Sequence, residues 1–361
     1  MNILILTGKF GMGHNSVAKA IAEEFEDIDK NNKVVIVDLL EYLFPIAHHF
    51  LYKGFEMMIN KCHGIYNMIY RFSEQVEVDV TPLGNKIHED VNNLILENKP
   101  NFIICTLPLC AKIISEYKEK TSSSIPLITC ITDISTHKEW QSSYVDNYFV
   151  PTSDIKEHLL RNGINKSNIF VTGIPVRRDF KNIGDKLVIN NNKKVLIMGG
   201  GLGLLPDIDR FIGKLSSISN VEITIITGKN KKAFKYLKEN FRSINVVGYT
   251  EKVNEYMKEA DLIITKAGGI TLFEAIHSQT PLFVINPFLE QEKKNAAFIE
   301  EKEIGKIAWG NSEDYLRELE NLLTTEETLN KMSINISKAK KEIIEVDTSI
   351  IVKELYKGVM A

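Results

Sequence analysis

The stretch that constrains this chain most begins at an apolar run, Leu262-Ile263-Ile264, and passes through Thr265-Lys266-Ala267-Gly268-Gly269. It continues into Ile270-Thr271-Leu272-Phe273-Glu274-Ala275. These residue types read as a buried strand, a tight turn and a helix. Backbone N–H groups at such a helix start favour an anion, and the two glycines let a ligand come close to the backbone. A phosphate fits there, and Glu274, one turn further along, is placed to accept bonds from two ribose hydroxyls of the same nucleotide. The plainer reading is a strand-to-helix turn with a solvated glutamate, and the Gly-Gly pair alone does not choose between them.

The same order recurs twice. Ile3-Leu4-Ile5-Leu6 precedes Gly8-Lys9-Phe10-Gly11-Met12-Gly13-His14, after which Val17, Ala20, Ile21 and Phe25 repeat at helical spacing. Val195-Leu196-Ile197-Met198 precedes Gly199-Gly200-Gly201-Leu202-Gly203. Strands at 34–38, 102–106 and 127–133 alternate with helical segments such as 111–117, the pattern of a parallel sheet covered by helices on both faces. A dinucleotide site enters as an alternative for the first loop, because the next strand ends in the acid Asp38. The spacing Gly8-x-x-Gly11-x-Gly13 is not Gly-x-Gly-x-x-Gly, which counts against it. His14 stands at the mouth of that loop, at the sheet edge where ligands gather. Asp133 ends a later strand and is placed to orient His14, to take a proton itself, or only to close a turn.

Length points to two domains, since 361 residues exceed what one core usually supports. The polar segment 177–194, rich in Asn and Lys and carrying Gly184, reads as the linker between residues 1–176 and 195–335. Helical periodicity continues to residue 355, with 336–361 as a final helical segment. A net charge of −3 and the lack of a Lys/Arg-rich block argue against nucleic acid as the main partner. Cys62, Cys105, Cys110 and Cys130 show neither a zinc nor a disulfide pattern, and three of them read as buried thiols. Asp207-Ile208-Asp209 has the form of a metal clamp but fits helix-start acids better, so no metal is expected. The start of the chain reads as a strand, not a signal peptide, and no window approaches a membrane span. A cytoplasmic location with at most peripheral membrane contact is the expectation.

One region is unlike the rest. Residues 39–72 hold Tyr42, Phe44, Phe50, Tyr52, Phe55, Met57, Met58, Tyr66, Met68, Tyr70 and Phe72, with Lys53, Lys61 and Arg71 among them. Such helices lie in a bilayer interface with basic residues towards anionic headgroups, or they pack on a domain core. Both readings stay open.

The order Gly268-Gly269, Thr271, Glu274, then Pro281 to Pro287 and Gln291-Glu292 before Asn295, resembles the donor-binding half of inverting UDP-sugar glycosyltransferases. In particular it resembles the monogalactosyldiacylglycerol synthase and processive diacylglycerol glucosyltransferase family. The first loop with its Gly-x-Gly-His, and Thr132-Asp133 followed by His137 and Trp140, are similar to that family's acceptor side. The family usually has Pro-Gly where Leu289-Glu290 stand, and a further Gly at Leu204 or Leu205. The resemblance implies an α/β fold of the GT-B type, with two Rossmann-like domains facing across a cleft and a last helix returning to the first domain.

It further implies transfer of a hexose, glucose favoured over galactose, from a UDP-sugar to diacylglycerol with inversion, at the cytoplasmic face of an anionic membrane. His14 and Asp133 would be catalytic, with Gly11, Gly13, His137 and Trp140 on the acceptor side. The donor would be held by Gly199, Gly200, Gly201, Gly203, Tyr249, Lys266, Gly268, Gly269, Thr271, Glu274, Gln291, Glu292 and Asn295, with UDP-sugar as co-substrate and no metal or other cofactor. Alternatives are another acceptor, polyprenyl-linked or soluble, and a non-hydrolysing UDP-sugar epimerase. The epimerase would need more acids and a further histidine than the sequence places. A non-catalytic nucleotide-sugar binding module is a third alternative.

Overall fold

The computed structural model describes residues 1–73, 84–181, 192–199, 208–310, 312–343 and 348–355. The chain divides into two compact units, one made of residues 1–178 and 343–361, the other of residues 179–342. Unit 1 opens with β1 (Asn2–Thr7), α1 (Gly13–Ile28), β2 (Lys33–Asp38), α2 (Leu39–Leu43), α3 (His48–Lys61), α4 (His63–Ser73) and α5 (Gly84–Asn98). It continues through β3 (Phe102–Cys105), α6 (Pro108–Thr121), β4 (Leu127–Cys130), β5 (Asn147–Val150), α7 (Ser153–Arg161), β6 (Ile169–Val171) and the short α8 (Arg178–Lys181). Unit 2 holds β7 (Lys193–Met198), α9 (Ile208–Ser216), β8 (Val221–Ile226), α10 (Lys231–Asn240), β9 (Asn245–Val247), α11 (Val253–Glu259) and β10 (Leu262–Thr265). Then come α12 (Gly269–Ser278), β11 (Leu282–Ile285), α13 (Glu290–Glu301), β12 (Gly305–Ala308), α14 (Ser312–Thr324) and α15 (Glu326–Ile343); α16 (Thr348–Leu355) belongs to unit 1.

Each unit carries one six-stranded sheet whose registers are all parallel. The orders are β2-β1-β3-β4-β5-β6 and β12-β11-β10-β7-β8-β9. A parallel strand covered on both faces must be apolar throughout, and Ile3, Leu4, Ile5 and Leu6 are all buried, as are Leu262, Ile263 and Ile264. In both sheets the winding reverses beside the first strand: β1 has β2 on one side and β3 on the other, and β7 has β8 and β10. Loops leaving the two strands that flank such a reversal diverge and open a crevice at the carboxyl edge, where doubly wound folds bind ligands. Every glycine loop singled out above leaves one of those strands.

The expected linker differs at both ends. Arg178–Lys181 is helical, with the Arg178 N–H on Glu23 and its guanidinium 2.5 Å from Asp27, and β7 begins at Lys193; residues 182–191 lie outside the described residues. The expected final segment, 336–361, is also divided otherwise. Residue 336 lies inside α15, and the return to unit 1 is made by α16, which packs on α1. A buried carboxylate fixes it: Glu24 accepts the Thr348 hydroxyl and the Ser349 N–H, so an acid from α1 caps the first turn of α16.

Asp209 stands in the first turn of α9, the place of a helix-start acid, and accepts the Tyr236 phenol at 2.9 Å, while Asp207 lies outside the described residues. Cys105, Cys110 and Cys130 are buried thiols.

Close packing of β12 against β11 leaves no room at Gly305. A Cβ there would stand 2.5 Å from the Leu282 carbonyl oxygen and 2.8 Å from Ile299. Backbone on one side and a buried side chain on the other cannot both move aside. Gly305→Ala is therefore expected to lower stability by about 1–3 kcal/mol, read as a drop in Tm; an unchanged Tm would contradict this packing.

Candidate active site

In unit 1 the site is built where β1, β3 and β4 end. Gly11 has φ +79°, a backbone conformation that a side chain strains, and a Cβ at Gly8 would stand 2.9 Å from Leu107 and 3.3 Å from the Tyr52 hydroxyl. The loop therefore turns tightly and delivers Gly13 and His14 into the first turn of α1. His14 is half-buried. Its Nδ1 lies 2.8 Å from the carbonyl oxygen of Thr106, which follows β3, and 3.0 Å from Oγ1 of Thr132, which follows β4. A carbonyl only accepts, so Nδ1 carries the proton and Nε2 keeps its lone pair. The Thr106 hydroxyl in turn joins Thr7 and the His14 carbonyl, tying the loop to both strands at the sheet's reversal.

Burial holds the His14 pKa below its ordinary 6.5, against the opposing pull of the Asp133 charge and of the Thr106 carbonyl. The ring is thus neutral at neutral pH with a free lone pair, the state a general base needs.

Two expected acceptor-side residues are placed elsewhere. His137 is fully buried, with Nε2 donating to the Tyr70 carbonyl at 2.8 Å and Nδ1 accepting the Glu139 N–H at 3.1 Å, so both ring nitrogens are used inside the fold. Trp140 is buried among Ile131, Tyr148 and Ile155, and its ring centroid lies 6.5 Å from that of His14. It walls the histidine rather than presenting a surface. The resemblance puts both on the acceptor side, whereas the loop they form folds back into the core.

In unit 2 the glycine turn follows β10. Gly268 has φ −78°, and a Cβ there would meet only Thr271 Oγ1, at 3.7 Å. Neither conformation nor crowding demands glycine at this position; glycine suits an N-cap, and the lack of a side chain leaves room for a ligand to approach the backbone. No side chain caps the start of α12. Its first N–H groups are the free end of a helix dipole, beside Lys266, whose Nζ sits 5.4 Å from the Phe288 ring centroid. Gly269, Thr271 and Glu274 are buried on α12.

Asn295 is buried on α13, and its Nδ2 donates to the Ala267 carbonyl at 2.8 Å, so it braces the glycine turn. Glu292 likewise turns back on its own helix, accepting the N–H groups of Phe288 and Leu289 at 3.3 and 3.4 Å. This gives the Leu289-Glu290 departure its structural setting: the acid three positions on caps the loop. Gln291 precedes it in the first turn of α13. Tyr249, after β9, is 55% exposed with Lys229 Nζ 5.7 Å from its ring centroid. Gly199 is buried at the end of β7, and Gly200, Gly201 and Gly203 lie outside the described residues. Because all six strands run the same way, these groups share the carboxyl edge of the sheet.

Sequence reasoning missed Thr7 and Thr106 and gave Thr132, quoted with Asp133, no role of its own; together they supply the hydroxyls and carbonyl that fix His14. The signal was present in the threonine that ends or follows β1, β3 and β4, all at the edge where His14 stands.

Comparison with known proteins shows the family and the fold. Residues 14–176 match the model of the monogalactosyldiacylglycerol (MGDG) synthase family, and residues 195–347 match the glycosyltransferase family 28 C-terminal domain. A processive diacylglycerol beta-glucosyltransferase of Bacillus subtilis (strain 168) is 33% identical, over 92% of this chain and 90% of that protein. One from Staphylococcus aureus (strain Newman) is 31% identical, over 98% and 92%.

Among solved structures, Acinetobacter baumannii MurG is similar with a TM-score of 0.63 at 14% identity, covering 99% of this chain and 100% of that one. A UDP-GlcNAc 2-epimerase from Neisseria meningitidis bound to UDP-GlcNAc gives 0.59 at 17%, covering 99% and 100%. At such identities the likeness shows the fold, GT-B, which transferases and epimerases share.

Gly268→Ala is expected to leave Tm unchanged while UDP affinity falls at least about tenfold, because the methyl group stands in the path of the phosphate. Calorimetric titration with UDP checks it, and wild-type affinity in the variant would contradict the close approach.

Proposed function

This chain belongs to the monogalactosyldiacylglycerol synthase and processive diacylglycerol glucosyltransferase family, and from that premise we propose the reaction it performs and the residues that carry it. It is a glycosyltransferase that moves a hexose from a UDP-sugar to diacylglycerol, making glycolipid. The sugar proposed is glucose, the one in the names of its relatives. The observation that carries the mechanism is His14, neutral, oriented through Nδ1 and open at Nε2.

The free hydroxyl of diacylglycerol gives its proton to Nε2 of His14 as its oxygen attacks the anomeric carbon from the face opposite UDP. The bond from that carbon to the phosphate oxygen breaks, the electron pair leaves with UDP, and the configuration inverts. Asp133 acts through the imidazolium, stabilising the positive charge that forms there. The leaving diphosphate meets the α12 N-terminus and Lys266, fixed dipoles and a charge that need no reorganisation. This reading uses no metal ion. Glu274 is assigned to the ribose hydroxyls, Gln291 to the sugar and Tyr249 to the base. In this assignment the base belongs to unit 1 and the grip on the donor to unit 2.

The acceptor is a lipid, and no helix among the described residues is long and apolar enough to cross a membrane. We assign attachment to the outer side of α3 and α4, where Phe50 is 74% and Met68 65% exposed, with exposed Met57, Lys53 and Arg71 nearby. Apolar side chains entering the interface beside cations suit the cytoplasmic face of an anionic membrane.

Incubation with labelled UDP-glucose and UDP-galactose over diacylglycerol vesicles, followed by lipid extraction, tests the reading. Label from UDP-glucose is expected in a glucosyl-diacylglycerol product, well above that from UDP-galactose. Label recovered only in water-soluble products would contradict the lipid acceptor, and a galactolipid would contradict the sugar.

A further inference from the structure

The two helices assigned to the membrane face have an inner side, and it is not a generic packing surface. Phe10, in the loop that carries His14, stands edge-on to Tyr52 at 5.0 Å and to Phe55 at 4.7 Å between ring centroids. Phe55 meets Tyr66 at 5.8 Å, Tyr66 stacks on Tyr70 at 6.1 Å, and Tyr70 lies 4.1 Å from His137. The rings form one unbroken ladder from the His14 loop, along α3 and around the bend at Cys62 into α4, to the segment that carries Asp133.

Each end of the ladder is closed by polar bonds. The Tyr52 phenol accepts the Lys9 N–H at 3.0 Å and donates to Asp38 at 2.6 Å, so it holds the glycine loop to the end of β2. The Tyr70 hydroxyl bonds Ser135 at 2.9 Å, and the Tyr70 backbone carbonyl accepts the ring Nε2–H of His137. Burial pushes both phenols well above the ordinary tyrosine range, so both stay protonated and able to donate. At 100° per residue, Phe50 and Met57 project about 140–160° away from Tyr52, and Met68 about 160° away from Tyr70. The side of each helix that is exposed and apolar is thus the reverse of the side that grips the loops.

We propose that Tyr52 and Tyr70 are positioning residues, which transmit the seating of α3 and α4 to the two loops carrying His14 and Asp133. The proposal rests on the transfer reaction described above. Neither phenol touches the reacting atoms; each acts through a loop. Whatever the outer side rests on therefore bears on the orientation of the base as well as on the delivery of the acceptor.

The test is to compare Tyr52→Phe and Tyr70→Phe with the wild type by turnover on diacylglycerol vesicles, Tm, and amide hydrogen exchange of residues 8–14 and 133–140. Both variants keep their rings in the ladder and lose only hydroxyls. Tyr52→Phe is expected to lower kcat roughly ten- to a hundredfold, the scale of an ångström-level misplacement. KM for UDP-glucose should stay within about twofold, because unit 2 holds the donor. Tyr70→Phe should lose less, since its carbonyl bond to His137 survives. Exchange should quicken in residues 8–14 for the first variant and in 133–140 for the second, with Tm unchanged.

Wild-type kcat in Tyr52→Phe, or a loss that appears only with a fallen Tm, would overturn the proposal. Unaltered exchange in both loops would overturn it even if the wild type makes no glycolipid, an outcome that would separately refute the transfer reading.

Discussion

A single hydrogen bond organises unit 1: the Nδ1–H of His14 donated to the Thr106 carbonyl. It crosses the point where the sheet reverses direction, joining the loop after β1 to the end of β3, and it selects the tautomer. In the other tautomer the Nδ1 lone pair would face a carbonyl oxygen and Nε2 would carry the proton, with no lone pair to accept another. The parallel sheet makes the bond possible, because only parallel strands bring the carboxyl ends of β1, β3 and β4 to one edge. Partial burial then keeps the base neutral, and the Asp133 charge limits how far that goes, so the imidazolium formed during transfer is not prohibitively costly.

Glycine serves three separate purposes here. Gly11 is needed for its backbone conformation, Gly8 and Gly305 for lack of room, and Gly268 for neither. The last case is the informative one. A glycine that neither conformation nor crowding requires, at the start of a buried helix that no side chain caps, leaves the first N–H groups of that helix open to a ligand. Asn295 supports the same turn from α13 through Ala267, so the donor grip is braced from behind by a residue that the sequence suggested would face the sugar.

Much of the fold was legible because parallel strands buried on both faces are apolar runs, and Ile3 to Leu6 or Leu262 to Ile264 have no other good reading. Periodicity also located α1 and α12. Burial of loops was not legible. His137 and Trp140 look like polar and amphipathic loop residues, yet their segment folds inward, a tertiary outcome that no local pattern carries. The cap that Glu292 makes was not legible for a related reason: a carboxylate three positions into a helix satisfies its own N-terminus as readily as it meets a substrate. The aromatic region was ambiguous in sequence because its two helices carry packed and exposed apolar residues together. Tyr52, Phe55, Tyr66 and Tyr70 face inward while Phe50, Met57 and Met68 face out, and mixed spacing of this kind reads as a stripe all round the helix.

The most direct measurement of the central claim is the pH dependence of kcat/KM for transfer by the wild type and by His14→Ala, with UDP affinity measured beside it. A base with a depressed pKa is unprotonated above that value, so activity is fully present at neutral pH. It is lost as pH falls through an inflection below the ordinary 6.5. His14→Ala should keep its UDP affinity, lose that inflection and fall in rate by about 10²–10⁴-fold. Ordinary turnover in His14→Ala, or an unchanged acid limb, would show that the proton goes elsewhere.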